Sequence, residues 1–322
     1  LGEQGILKRL QRFCPAELVG DDAAVVATAP GQSLVITTDI LVDSVHFSDR
    51  TTSPADVGWR AAAVNLSDLA AMGATPMGLT VGLGVPGDVA ITWIEQLYQG
   101  LTACLQQYDT VIVGGDVCRS PVITVAIAAF GHVSPEQVIR RSAAQPGDAV
   151  LVTGVHGASR AGLELLVNPS WGTNLSEPER QSLIQAHQRP KPRLDVLPLL
   201  WQLGPVRVAG MDSSDGLADA VLQICRASDV GARIQRSQVP IPDALAKIAS
   251  PEQALEWALY GGEDFELVLA LPPAIAASLV AQLGNGAAII GEVTAGAAVQ
   301  LVDETNRYPA IALSLNQGFQ HF

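Results

Sequence analysis

Short apolar runs alternate with amphipathic stretches along most of the chain. Leu34-Val-Ile-Thr-Thr-Asp39 is rich in strand formers and stops at polar residues, which predicts a strand with Asp39 at its C-terminal end. A helix follows: Ser53 can cap it, Pro54 suits its first turn, and Asp56 lies near the positive end of its dipole. Apolar positions at Trp59, Ala62, Leu66 and Leu69 carry it forward, and Gly73 stops it. Residues 78–85 read as a strand. Thr92-Trp-Ile-Glu95 has the form of a capping box opening a second helix that ends near Gln107. Thr110-Val-Ile-Val-Gly-Gly-Asp116 reads as a short strand running into a glycine turn, and 122–133 as a long apolar strand.

The chain turns polar over 140–148, which places a domain boundary there and predicts domains of 1–140 and 141–322. The second half repeats the alternation. It reads as a strand at 149–153, a helix opened by 154–162, a loop over 169–179 and a break at Pro190 and Pro192. A strand at 206–211 ends at Asp212-Ser-Ser-Asp-Gly216, and a helix through Leu217, Val221 and Ile224 closes near Gly231. Ser250-Pro-Glu-Gln253 caps a further helix, which ends at Gly261-Gly-Glu-Asp264 and feeds a strand at 265–271. A helix at 273–283 and strands near Ile289 and Val299 complete an α/β protein of two domains.

Composition narrows the function. With 48% hydrophobic and 16% charged residues, the chain fits neither disorder nor a coiled coil. A net charge of -13 and three lysines (Lys8, Lys191, Lys247) leave no basic patch for a nucleic-acid backbone. Cys14, Cys104, Cys118 and Cys225 form no C-x-x-C pair, which suits a reducing compartment, the cytoplasm, better than disulfides or structural zinc. The opening L-G-E-Q-G-I-L-K-R-L reads as an amphipathic helix and not as a signal peptide. Residues 69–87 lack charge, but prolines and glycines break them, so they read as core and not as a membrane span.

The chemistry lies in the carboxylates. Asp22, Asp39, Asp43, Asp116, Asp212, Asp215 and Glu263 sit at predicted element ends or beside glycine turns. Asp68 sits inside an apolar helix, where a carboxylate is costly unless bonded or bound to a metal. It is either a helix-end residue with local polar bonds or a metal ligand. The lack of any Lys or Arg between Arg60 and Arg119 favours the ligand. Asp39 and Asp116 each end a predicted strand, where α/β sheets collect ligands. Thr37 and Thr38 add oxygens, and Gly114 and Gly115 allow close phosphate approach. Asp212 and Asp215 with two serines exceed what one helix cap needs. Hard oxygen donors without a His or Cys cluster suit Mg2+. No G-x-x-x-x-G-K-[ST] or protein-kinase motif set is present, yet a polyphosphate held by several Mg2+ ions would need this many carboxylates.

Taken together, G-D-D-A-A-V (20–25), T-T-D-I-L-V-D-S-V-H-F (37–47), N-L-S-D-L-A-A-M-G-A-T-P (65–76), G-G-D (114–116), D-S-S-D-G-L (212–217) and G-G-E-D-F-E-L (261–267) resemble the thiamine-monophosphate kinase family. That family lies within the aminoimidazole ribonucleotide synthetase-like ATP-binding superfamily, and the resemblance spans nearly the whole chain. It implies ATP-dependent, in-line phosphorylation of thiamine phosphate to thiamine diphosphate in a homodimer. It also implies two α/β domains, with the N-terminal sheets pairing into a barrel across the dimer. By resemblance, Asp22, Thr37, Thr38, Asp39, Asp68, Asp116, Asp212 and Asp215 hold several Mg2+ ions, with Asp39, Asp68 and Asp116 as the metal clamp. Asp116, Gly115, Arg141 and Ser214 contact ATP. His46, Glu263 and Phe319 contact thiamine phosphate, where Glu263 could balance a cationic thiazolium. No general base is implied. The tail G-F-Q-H-F (318–322) departs from the family's frequent G-Y-D-H-F: the aromatic character remains, while a hydroxyl and a charge are lost. The rival readings are another ATP-dependent synthetase of the superfamily and a non-catalytic Mg-nucleotide-binding protein.

Overall fold

The structure is a computed structural model that describes residues 9–14, 30–284, 286–305 and 307–318. These form two compact units. One takes the described residues up to Leu69 together with Ala74–Pro135 and Gln188–Pro190; the other takes Ala70–Gly73, Glu136–His187 and the residues from Lys191 onward.

The first unit is built on a four-stranded sheet of β1 (Ser33–Val42), β2 (Thr75–Val85), β3 (Ile112–Arg119) and β4 (Thr124–Val133) in the order β1-β4-β2-β3. The β2–β3 pair is parallel, joined through a helix, and the other pairs are antiparallel. Alternate residues of β4 are buried, Val125, Ile127, Ala129 and Val133 among them, so one face of the sheet is core. Helix α1 (Pro54–Ala71) lies on that face, with Leu69 against Gly131 of β4. The Ser53 hydroxyl accepts from the Asp56 N–H at 3.2 Å, as a cap should. Helix α2 (Ile91–Gln106) packs on α1 so closely that a Cβ on Gly58 would lie 1.9 Å from the Leu97 carbonyl oxygen. Residues 188–190 belong here because Trp59 donates to the Pro190 carbonyl at 2.9 Å and Gln188 to the Thr51 carbonyl at 2.7 Å.

The second unit has a seven-stranded mixed sheet. Its strands are β5 (Ala149–Val152), β6 (Ala209–Asp212), β7 (Gly231–Gln235), β8 (Leu267–Leu271), β9 (Ala288–Thr294), β10 (Val299–Val302) and β11 (Ile311–Ala312), in the order β11-β10-β7-β9-β5-β8-β6. The central strands β5 and β8 face two cores, which explains their unbroken apolar runs. Val150, Val152, Val268 and Ala270 join one core with α6 (Leu217–Ser228) and α7 (Pro251–Tyr260). Leu151, Leu267, Leu269 and Leu271 join the other with α5 (Val196–Gln202) and α8 (Pro273–Leu283). A smaller cluster lies between α3 (Ala158–Val167) and α4 (Glu177–Gln188).

Several sequence expectations change. β1 continues through Ile40, Leu41 and Val42, so Asp39 lies inside the strand and not at its end. Gly114 and Gly115 are strand residues and not a turn. A Cβ on Gly115 would sit 2.2 Å from the Val81 carbonyl oxygen, so the glycine serves close strand approach. Helix α2 begins at Ile91, before Thr92, with no side-chain cap, and Glu95 pairs with Arg9 at 2.8 Å. Residues 177–179 start helix α4 and are not loop. The apolar stripe of α4 is narrow: Leu183 and His187 are its buried residues, with Ile184 and Ala186 packed beside them. Gly231 does not close α6 but opens β7, a short strand fixed by neighbours on both sides. Of the expected N-terminal helix, residues 1–8 lie outside the described residues. Among the described residues no helix is long and apolar enough to cross a membrane.

Candidate phosphoryl-transfer site

In the first unit, Thr37 and Asp68 come together: the Thr37 hydroxyl of β1 donates to the Asp68 carboxylate of α1. Both are half-buried. Strand alternation puts Asp39 on the same face as Thr37, and it too is half-buried. Thr38 projects to the other face, where its hydroxyl donates to the Ile127 carbonyl at 2.7 Å. Asn65 is fully buried and donates to the Ala61 carbonyl at 3.0 Å, leaving its own carbonyl oxygen without a partner among the described residues. His46 lies in the turn after β1, where its Nδ1 accepts from the Val42 N–H at 3.1 Å. Asp116 and Gly115 are exposed on β3. Asp39 and Asp116 share one sheet, yet β1 and β3 are its opposite edges. Three strand spacings separate them, about 14 Å.

In the second unit, two loops are laced together. Asp212, buried at the end of β6, accepts from the Ser214 hydroxyl at 3.1 Å. The Glu263 N–H donates to the Ser214 carbonyl at 2.7 Å, and the Ser213 N–H to the Glu266 carbonyl at 2.9 Å. Beneath them His156 Nε2 lies 3.1 Å from the Ser213 hydroxyl. Burial drives the His156 pKa down to about 4, opposed by the Gly154 carbonyl. Glu266 is a structural carboxylate: Arg193 and the Thr153 hydroxyl engage it. Asp264 also turns inward, accepting the Gly157 N–H at 2.6 Å and the Ser159 N–H at 2.9 Å at the start of α3. Desolvation raises its carboxyl to about 7 despite those donors.

Asp215 is exposed and borders a hollow lined also by Asp219, Tyr260, Ser314, Leu315 and Gly318. Desolvation raises the Asp219 carboxyl, the Asp215 charge adds to it, and the Arg141 guanidinium counters. Arg141, exposed, is therefore near this acidic pair. Asp219 went unnoticed in the sequence, although its spacing from Asp215 across the start of α6 was a usable signal. His187, beside Glu263, had no such signal. Asp22 and Phe319 lie outside the described residues. Among the described residues no three His, Cys, Asp or Glu side chains gather as a ready metal group.

Two family models cover these two halves. Residues 20–133 match the AIR synthase related protein N-terminal domain and 145–304 the C-terminal domain. Two mixed sheets flanked by helices, one in each matched half, thus define a two-domain AIR synthase-like α/β protein. Among curated proteins, the thiamine-monophosphate kinase of Synechococcus elongatus is 54% identical over 100% of this chain and 97% of its own length. Among solved structures, the thiamine-monophosphate kinase of Stenotrophomonas maltophilia K279a aligns with a TM-score of 0.81 at 32% identity, covering 94% of this chain and 97% of its own. AaThiL complexed with AMPPCP and TMP aligns with a TM-score of 0.73 at 30% identity, covering 97% and 96%. The chain belongs to the thiamine-monophosphate kinase family.

Proposed function

We propose that this chain transfers the terminal phosphoryl group of ATP to thiamine phosphate, giving thiamine diphosphate and ADP. The carrying observation is 54% identity to a curated thiamine-monophosphate kinase over the entire chain. The AMPPCP and TMP bound by a structural relative support the same pair of substrates.

The donor set fits Mg2+: carboxylates, hydroxyls and carbonyls without a soft ligand. Asp39, Asp68 and Asp116 form the metal clamp in this reading, with Asp22, Thr37, Thr38, Asp212 and Asp215 as further ligands. Bound Mg2+ supplies the positive charge that lets this acidic surface hold a polyphosphate. Gly115, Asp116 and Ser214 contact the nucleotide, and Arg141 offers a planar fork of donors to its phosphate oxygens. His46, Glu263 and Phe319 hold the acceptor, with the Glu263 carboxylate against the cationic thiazolium. The attacking oxygen belongs to a phosphate that is already largely ionised near neutral pH, so no general base is required and transfer is direct.

The same reading makes the protein a homodimer whose N-terminal sheets close into a barrel. Support comes from the outer face of β1, where Leu34, Ile36 and Ile40 are 50%, 59% and 53% exposed in one row on an edge strand. The opposite-edge placement of Asp39 and Asp116 fits it, because pairing β1 with β3 of a second copy would put the two on neighbouring strands. Residues 1–140 then carry ATP and Mg2+ binding and dimerisation, and 141–322 complete the nucleotide and acceptor site. The unbridged cysteines fit a cytoplasmic setting.

ADP release from Mg-ATP tests the assignment, with thiamine phosphate or free thiamine as acceptor. Turnover is expected only with the phosphate, and Asp68→Asn should lower it by roughly 100-fold while the protein still folds. Turnover with free thiamine alone would overturn the acceptor, and full activity in Asp68→Asn would overturn the metal clamp.

A further inference from the structure

The turn carrying Glu263 is held in an uncommon backbone conformation. Gly262, Glu263 and Phe265 have φ of 66°, 59° and 53°, a region that side-chain-bearing residues rarely adopt. Such a turn persists only where its surroundings hold it. Two anchors are backbone or buried: the Glu263 N–H on the Ser214 carbonyl, and the Asp264 carboxylate on the first N–H groups of α3. The third acts on the Glu263 side chain itself. Its Oε2 lies 3.4 Å from Nδ1 of His187, whose side chain is 4% exposed against 34% for Glu263. The same Nδ1 lies 3.2 Å from the hydroxyl of Ser159, whose N–H donates to Asp264.

We infer that His187 is a positioning residue for acceptor recognition: it fixes the carboxylate of Glu263 from beneath, so that the outer oxygen is presented to the ligand in one orientation. This rests on the reading of Glu263 as an acceptor contact. In this inference Nδ1 carries the proton, since a carboxylate only accepts, and the Ser159 hydroxyl shares that donor or turns its own proton away. His187 belongs to a helix with few apolar residues, in which Leu183 is the only other buried one. Its burial against α3 holds Nδ1 at the Ser159 and Glu263 contacts. A side chain fixed in advance costs less to order on binding, so the effect falls on affinity for the acceptor and not on phosphoryl transfer.

Two variants separate these roles: His187→Gln keeps an N–H donor and His187→Leu keeps only bulk. With wild type beside them, KM for thiamine phosphate should rise about 10-fold in His187→Leu and stay within about threefold in His187→Gln. KM for ATP and kcat should stay within about twofold in both. A long-range proton–nitrogen NMR spectrum of the wild type should show a protonated Nδ1 on His187, and Glu263→Gln should shift it. Wild-type KM for thiamine phosphate in both variants, both KM values rising together, or a bare Nδ1 would overturn the inference. If the wild type itself fails to use thiamine phosphate, the functional reading falls, and the inference with it.

Discussion

Burial keeps the His156 imidazole neutral, with a pKa near 4 where an ordinary imidazole titrates at 6.5. An unfolded chain therefore takes up this proton below about pH 6.5 while the folded one refuses it until about pH 4. In that window the unfolded state binds more protons, so the contribution of His156 to stability is complete above pH 6.5 and lost as pH falls. Asp264 acts the other way: its carboxyl is raised from 3.8 to about 7, so its ionisation weakens the fold as pH rises between those values. Comparing His156→Gln with wild type cancels the Asp264 part. Urea unfolding at about pH 7.5 and about pH 5 should show the advantage of wild type shrinking by about 2 kcal/mol at the lower pH. An unchanged difference would mean that His156 titrates normally in the folded state. Neither His156 nor His187 was legible in the sequence, because their partners Ser213 and Ser159 lie far along the chain and single histidines carry no pattern. The acidic candidates were legible for the opposite reason. A carboxylate set in an apolar run, as Asp68 is, marks itself by its desolvation cost.

Helices α1 and α2 meet through reciprocal glycines. A Cβ on Gly58 would strike the Leu97 carbonyl, and one on Gly100 would lie 1.7 Å from the Ala55 carbonyl oxygen. Backbone, not a flexible side-chain end, stands in the way, so the helices must part to admit even a methyl group. Gly100→Ala gains helix propensity, yet the overpacking should outweigh it and destabilise the first unit by about 2 kcal/mol or more. Denaturant unfolding monitored at Trp59 would report it, and a stability at or above wild type would show that the crossing relaxes freely. Periodicity alone gave each helix but not this crossing, since a glycine inside an amphipathic pattern looks merely tolerated. Local signals succeeded where capping and apolar pattern agree. Helix α8 runs from Pro273 to Leu283 as expected, and the Ser250 hydroxyl accepts from the Gln253 N–H at 3.2 Å. They failed where tertiary neighbours decide, as for the polar helix α4 and the short strand β7.

Strand order was beyond the reach of sequence pattern, and it changes how the acidic residues can work together. The sequence predicts Asp39 and Asp116 each at the end of a strand in one sheet, and the order β1-β4-β2-β3 puts those strands on opposite edges. In the proposed dimer, β1 of one copy meets β3 of another, which puts Asp39 and Asp116 on neighbouring strands. The exposed row of Leu34, Ile36 and Ile40 gives that pairing an apolar surface to bury. In a twofold dimer of this kind, each of two equivalent sites takes Asp39 from one subunit and Asp116 from the other. Asp39→Asn and Asp116→Asn should each be inactive alone. Co-expressed with different tags and purified as the doubly tagged species, they place both lesions in one site and leave the second intact. The mixed dimer should then recover about half the wild-type rate. If each site were built within one subunit, both sites of the mixed dimer would carry a lesion and no activity would return. If no doubly tagged species forms, the copies do not pair and the shared cluster has no means of assembly.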